Sequence, residues 1–274
     1  NHGHAYILHG EEGQGQDQMT VLSEADYRGT IPLRTNAGDL TVLESNGYAY
    51  IVLPEDDQIA VFNGTQSMGR ITVEGEPVAI AANEATGDVY VATAAGRSLV
   101  RLQGIQVVLS TSLAITPTAV GVNAGSGYVY VSNVDDTVHV LRNDAIVATV
   151  PLSGPAGIAA DPLTGRTYVL SSYTREIDRS AGWVGVFQGP TLVDVIGLGA
   201  NRIPNAVAIN PESGFVYVAA GRGADGAITL ITDTVAIQSL PVEQTPWDVA
   251  VDGTSETGLR SEERRVGKEC ATGC

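Results

Sequence analysis

The segment that decides the fold reads Gly127-Tyr-Val-Tyr-Val-Ser-Asn-Val-Asp-Asp-Thr-Val-His-Val-Leu141. Valines and tyrosines alternate on both sides of a short polar interruption, which is typical of two short strands joined by a turn. A third apolar run follows immediately. We therefore predict consecutive strands, labelled B, C and D, over residues 129–132, 137–141 and 145–150.

The Gly-x-x-Tyr-(Val/Ile) pattern that opens this segment recurs along the chain. Its six copies begin at Gly3, Gly47, Gly87, Gly127, Gly165 and Gly214. A proline stands ten residues before most of these glycines: Pro77, Pro117, Pro155 and Pro204. Between proline and glycine lies a short apolar run that ends in Asn or Asp, as in Asp161-Pro-Leu-Thr-Gly165. This composition predicts a strand A that closes in a tight turn.

Four short strands in about 40 residues are the repeat of a β-propeller blade. The predicted fold class is all-β, a propeller of four-stranded antiparallel blades. Five complete blades begin near Gly38, Val78, Thr118, Ala156 and Asn205. Strands B, C and D precede them, and a lone strand A lies over residues 247–252, so the chain holds about six blade equivalents. These ends either pair to close a six-bladed ring or belong to a longer propeller with a further blade.

The segment 127–141 is similar to the strand B, loop and strand C consensus of the YVTN-repeat propellers, a family within the broader group of NHL and quinoprotein-like propellers. The resemblance extends from residue 3 to about 259. It implies a natural ring of seven blades, of which this chain is a piece. It also implies that the B–C and D–A loops share one face, which usually carries binding or catalysis.

The last residues interrupt the apolar pattern. Residues 260–270 read RSEERRVGKEC, which resembles the conceptual translation of a sequencing-library adapter. We therefore expect residues 1–259 to form the propeller, incomplete at one or both ends, and residues 260–274 to be an artefactual, disordered tail. Both cysteines and the only lysine lie in that tail. Residues 1–259 then offer neither a disulfide nor a thiolate.

The charge of the remaining chain excludes some partners. The tail holds four of the 15 cations and three of the 31 anions, which leaves 11 cations, 28 anions and a formal charge of −17. Such a surface repels phosphate backbones, so we expect no nucleic-acid partner. The sequence contains no run of 18 apolar residues, so no membrane span is expected. We expect an exported monomer, either periplasmic, secreted or at the cell surface.

Charged residues concentrate in the predicted B–C loops. The candidate binding rim consists of Glu55, Asp56, Asp57, Asp135, Asp136, Arg175, Asp178, Arg222 and Asp225. One interpretation is a ring of carboxylates that holds Ca²⁺, Mg²⁺ or a basic ligand. The other is a solvated rim of turn-forming residues that maintains solubility. No resident cofactor is predicted, although a Ca²⁺ or Mg²⁺ ion at this rim fits the first interpretation.

Two further patterns do not assemble a catalytic site. His139 lies in a predicted strand without a Ser–His–Asp arrangement, which favours a structural role. Gly221-Arg-Gly-Ala-Asp-Gly226 matches a dinucleotide fingerprint, but a strand rather than a helix is expected to follow it. We predict a non-catalytic binding or scaffold propeller with a protein or small-molecule ligand. The alternative is a metal-assisted enzyme similar to streptogramin lyases or gluconolactonases, with its site at the channel mouth.

Overall fold

A computed structural model describes residues 4–10, 17–23, 26–172, 181–251 and 258–261 of the chain. Over these residues the protein is all-β, with 25 strands and one short 3₁₀ helix. The described residues contain no helix that is both long and apolar enough to cross a membrane. The chain divides into two compact units, one up to Val120 and the other from Gly121 onward.

The first sheets are antiparallel, and each strand pairs with its neighbour in sequence. Blade 1 has three strands, in the positions of strands B, C and D: β1 His4–His9, β2 Gln18–Ser23 and β3 Asp26–Pro32. Blade 2 has four strands, A to D: β4 Leu40–Leu43, β5 Tyr48–Leu53, β6 Gln58–Asn63 and β7 Gln66–Thr72. The 3₁₀ helix Pro54–Asp56 lies between β5 and β6. Blade 3 consists of β8 Pro77–Asn83, β9 Asp88–Thr93, β10 Ser98–Gln103 and β11 Gln106–Ser112.

The remaining sheets follow from Pro117 onward and keep the same strand order. Blade 4 consists of β12 Pro117–Asn123, β13 Tyr128–Asn133, β14 Thr137–Arg142 and β15 Ala145–Pro151. Blade 5 consists of β16 Pro155–Ala160, β17 Arg166–Ser172, β18 Ala181–Gln188 and β19 Thr191–Ala200. Blade 6 consists of β20 Pro204–Ile209, β21 Phe215–Ala220, β22 Gly226–Thr232 and β23 Val235–Val242. The last two strands, β24 Asp248–Val251 and β25 Gly258–Ser261, form a sheet of their own.

The predicted repeat is confirmed at the level of strands. Among the described residues there are five four-stranded sheets, as expected, and the three predicted strands of blade 4 match β13, β14 and β15 to within one residue. The pairing between strands C and D shifts by one residue near the C–D turn of blades 2 to 6, for example between Val140 and Leu141. Such bulges increase the local twist of the outer strand.

The turns between strands A and B have the chemistry that the sequence predicts. Asp161 Oδ1 accepts hydrogen bonds from the amides of Leu163 and Thr164, at 2.9 and 3.3 Å. Asn210 Oδ1 accepts from Glu212 and Ser213 in the same way, at 2.9 and 3.2 Å. These side chains replace backbone partners that the turn lacks, which fixes where strand A ends.

The core lies between neighbouring blades. Strands B and C are buried on both faces, so their sequences are almost continuously apolar. One cluster joins blades 2 and 3 through residues such as Tyr50 and Val91. Another joins blades 4 and 5 through Tyr130 and Phe187. The D strands are mostly exposed, which places them at the outer edge of each sheet.

The last sheet has two strands, β24 and β25. Strand β24 pairs antiparallel with β25, from Asp248 opposite Ser261 to Val251 opposite Gly258. This is the pairing of a strand A with a strand B. The paired strand includes Arg260 and Ser261, the first two residues of the stretch that we assign to the adapter.

Candidate functional site

The structure places the described rim residues in B–C turns, as predicted. Glu55, Asp56 and Asp57 follow β5, whereas Asp135 and Asp136 follow β13. Arg222 and Asp225 lie between β21 and β22. Two further members of the predicted rim, Arg175 and Asp178, lie outside the described residues.

One carboxylate in each of three B–C turns holds the following D–A loop. The Gly154 amide donates to Asp136 Oδ1 at 2.8 Å, and the Glu76 amide donates to Asp57 Oδ1 at 2.7 Å. In blade 1 the Ala37 amide donates to Asp17 Oδ2 at 2.8 Å. We call Asp17, Asp57 and Asp136 the carboxylate clamp. Hydrogen bonds to ionised acceptors are about twice as strong as neutral ones, so each clamp residue ties the B–C turn of its own blade firmly to the following D–A loop.

The backbone carbonyl of each clamp residue makes a second contact. It accepts from an amide just after strand D: Leu33 for Asp17, Val73 for Asp57 and Leu152 for Asp136. Asp57 and Asp136 reach this position with a left-handed backbone, at φ values of 51° and 63°. Asp and Asn tolerate that region better than most residues, which explains the residue type. In blade 3 the Leu113 amide donates to the Arg97 carbonyl at 2.8 Å, so the same backbone contact forms at a residue that has no carboxylate.

The other rim carboxylates make contacts of their own. Glu55 Oε1 accepts from Asn36 Nδ2 at 2.7 Å, and Asp135 Oδ1 accepts from the Thr137 hydroxyl at 2.6 Å. Asp56 forms an ion pair with Arg70 at 3.0 Å. Both partners of that pair are about 40% exposed (44% and 39%), so its contribution to stability is small.

The repeated tyrosine joins consecutive blades. The hydroxyl of Tyr130, in strand B of blade 4, donates to the Gly189 carbonyl in the C–D turn of blade 5 at 2.9 Å. Tyr50 reaches Gly104 of blade 3 in the same way. The Tyr168 hydroxyl donates to a backbone carbonyl in the C–D turn of blade 6. The Tyr6 hydroxyl instead accepts a hydrogen bond from a backbone amide in the C–D turn of blade 2. Burial raises the pKa of Tyr130 above its usual value, so the hydroxyl stays protonated and able to donate.

The two remaining motifs lie where the sequence predicts, one in a strand and the other in a B–C loop. His139 is buried in β14, where burial lowers its pKa and the charge of Asp135 raises it. Its Nδ1 has no hydrogen-bond partner among the described residues. The glycine-rich stretch from Gly221 is a B–C loop, and strand β22 follows it from Gly226. A helix N-terminus, which dinucleotide binding needs there, does not follow this loop.

Comparison with solved structures confirms the architecture. Hydrazine synthase from Kuenenia stuttgartiensis superposes with a TM-score of 0.70 at 12% identity, over 89% of this chain and 90% of that one. A protein from Bacteroides uniformis, provisionally assigned as a 6-phosphogluconolactonase, gives 0.66 at 14% identity, over 94% of this chain and 88% of that one. The chain has a β-propeller fold. At these identities the likeness concerns the fold alone.

Sequence comparisons add no assignment. No family model matches the chain. A search of curated proteins gives no match either. The similarity to YVTN repeats therefore stays a resemblance that rests on the segment 127–141.

Two features of this face were missed by reasoning from the sequence. The acidic residues of the B–C loops stood out by charge, but the sequence does not show which carboxylate reaches a loop amide. The available signal was position, because Asp57 and Asp136 are each the residue directly before strand C. The role of the tyrosine hydroxyl was also missed, since its partner lies about 60 residues away, as from Tyr130 to Gly189.

Proposed function

We propose that this protein is a non-catalytic binding propeller, exported from the cell, that recognises its ligand on the face formed by the B–C and D–A loops. The carboxylate clamp is the observation that carries the proposal. Asp57 ties a D–A loop to a B–C turn in the first unit, and Asp136 does the same in the second. Loops that are preorganised in this way reduce the entropic cost of binding.

The same contacts weigh against the metal-assisted alternative. Asp57 and Asp136 each give one carboxylate oxygen to a loop amide, and Asp135 gives one to Thr137. A Ca²⁺ ion needs six to eight converging oxygen ligands. Committing an oxygen in each of these carboxylates to the protein itself leaves fewer for a cation. The rim is therefore better suited to shaping a surface than to holding a metal.

The experiment measures turnover of candidate substrates and the effect of cations on the melting temperature. The likeness to a protein assigned as a 6-phosphogluconolactonase makes lactone hydrolysis the enzymatic alternative to assay, together with the opening of a cyclic depsipeptide of the streptogramin type. We expect no rate above buffer with either substrate, with or without 5–10 mM Ca²⁺ or Mg²⁺ (roughly tenfold above the weakest protein Ca²⁺ sites). The melting temperature should likewise not respond to these cations.

The Asp136→Asn variant is the control for this experiment. It keeps the shape of the side chain and its tolerance of the left-handed backbone, but removes the charge. Turnover that disappears in this variant would establish an enzyme and refute the proposal. A saturable rise in melting temperature with Ca²⁺ that Asp136→Asn abolishes would establish the metal site instead.

A further inference from the structure

An open cavity of about 440 Å³ lies between blades 4 and 5. The loop after β15 forms one wall, and strands β17, β18 and β19 form the other. Its lining residues are Pro151, Leu152, Ser153, Ser171, Trp183, Leu192 and Val195. The volume falls within the usual range for sites that bind small molecules.

The strand register explains why space remains here. Trp183 stands opposite Ser171 on one neighbouring strand and Gly197 on the other. A Cβ atom on Gly197 would lie 3.8 Å from the indole. The Trp183 side chain is half-buried and contributes to the lining of the cavity.

A second glycine sets the depth of the cavity. Gly185 lies two residues after Trp183 on the same face of β18. A Cβ atom there would come within 3.0 Å of Leu152 and 3.2 Å of Leu192. The absence of this side chain lets both leucines pack against the strand backbone, below the indole. The cavity thus has an apolar floor and an aromatic wall.

Trp183 departs from the pattern of the other blades. In blade 5 the repeated tyrosine is Tyr168, and the third residue after it is Ser171. Trp183 is the strand C residue that pairs with Ser171. The equivalent residues of blades 2, 3 and 6 are Gln58, Ser98 and Ala227. Blade 5 thus has a large aromatic residue at a position where these other blades have a small or polar one. Such departures from the pattern of a repeat concentrate at functional sites.

The charge of the surroundings selects the ligand. All seven lining residues are uncharged, and the Ser171 hydroxyl already donates to the Ser153 carbonyl at 2.5 Å. The whole chain carries a formal charge of −16, which raises the local concentration of cations and repels anions. Among the aromatic side chains, an indole attracts a cation most strongly.

We propose that this cavity binds a hydrophobic organic cation, namely an ammonium group that carries an aromatic or aliphatic substituent. The ammonium faces the Trp183 indole, and its substituent covers Leu152, Leu192 and Val195. The inference deepens the proposed binding function and rests on it, because it names the ligand class and one place on the loop-bearing side of blades 4 and 5.

Phenyltrimethylammonium is a suitable probe, and its uncharged carbon isostere tert-butylbenzene is the matched comparison. The chain has two tryptophans, Trp183 and Trp247, so Trp247→Phe leaves Trp183 as the only indole. In that variant we expect saturable quenching of fluorescence by the cation. The isostere should bind roughly tenfold more weakly, the order of a cation–π contribution. Benzenesulfonate, the anionic analogue, should not bind.

Trp183→Leu provides the test by calorimetry, with Trp247→Leu as its control. Trp183→Leu should weaken binding of phenyltrimethylammonium by about tenfold, and Trp247→Leu should leave it unchanged. Equal affinity for the cation and its isostere would overturn the proposal, as would an unchanged affinity in Trp183→Leu. Both of these results concern binding at the cavity and involve no turnover. The proposed non-catalytic function fails only if turnover is observed, so the two failures are distinguishable.

Discussion

Replacing Tyr130 with alanine is expected to lower the free energy of unfolding by about 3–5 kcal/mol. The Tyr130 ring is fully buried between blades 4 and 5, where it lies 5.6 Å from the Phe187 ring. Its removal leaves a cavity between the blades and deprives the Gly189 carbonyl of its donor. Both losses act on the same inter-blade contact.

Urea unfolding followed by circular dichroism measures this effect, and two variants divide it into parts. Tyr130→Phe keeps the ring and removes only the hydroxyl, so it should cost about 1 kcal/mol. Tyr27 is 67% exposed, and Tyr27→Ala should change stability by less than about 0.5 kcal/mol. Equal losses in Tyr130→Ala and Tyr27→Ala would show that the repeated tyrosine does not join the blades.

Gly154→Ala is expected to cost roughly 2–4 kcal/mol, because it combines backbone strain with a steric clash. Gly154 has a φ of 52°, and a Cβ atom would lie 2.0 Å from the Ser172 carbonyl oxygen. The Ser172 amide donates to the Gly154 carbonyl at 3.0 Å, so the two backbones cannot separate without losing that bond. The loop that Asp136 holds must then move.

Gly127→Ala separates the strain from the clash. Gly127 has a φ of 74°, but nothing lies within 4 Å of the position of its Cβ atom. This variant should show the strain alone, about 1–2 kcal/mol. Thermal unfolding of both variants gives the comparison. A Gly154→Ala variant that is no less stable than Gly127→Ala would contradict the close packing of the D–A loop on strand B of blade 5.

Much of the fold could be predicted from the sequence because each level of the pattern agrees with the others. The glycine and tyrosine of the repeat, the Asp161 and Asn210 turns and the alternating valines all specify the same four strands. What the sequence could not show is contact between blades. The partners of Tyr130 and Asp136 are loop backbone atoms, whose residue types carry no signal of the contact.

The site could be predicted only in part, for a related reason. The concentration of charge in the sequence indicates the B–C loops. It does not distinguish Asp56, which forms an exposed ion pair, from Asp57, which belongs to the carboxylate clamp. The sequence does not single out Trp183, because its small neighbours Ser171 and Gly197 are brought beside it only by the strand register. The register is set by pairing over the whole sheet rather than by neighbouring residues.

Amide hydrogen exchange at Ala37, Glu76 and Gly154 tests most directly whether the carboxylate clamp holds the D–A loops. Each amide should be protected, and Asp136→Gly, which tolerates the backbone conformation of Asp136 but removes the acceptor, should speed exchange at Gly154. A hydrogen bond to a charged group is worth about 1.5–3 kcal/mol, which predicts at least a roughly tenfold change. Exchange at Ala37 and Glu76 should stay the same. Unprotected amides in the native protein, or an unchanged rate at Gly154 in Asp136→Gly, would contradict the account.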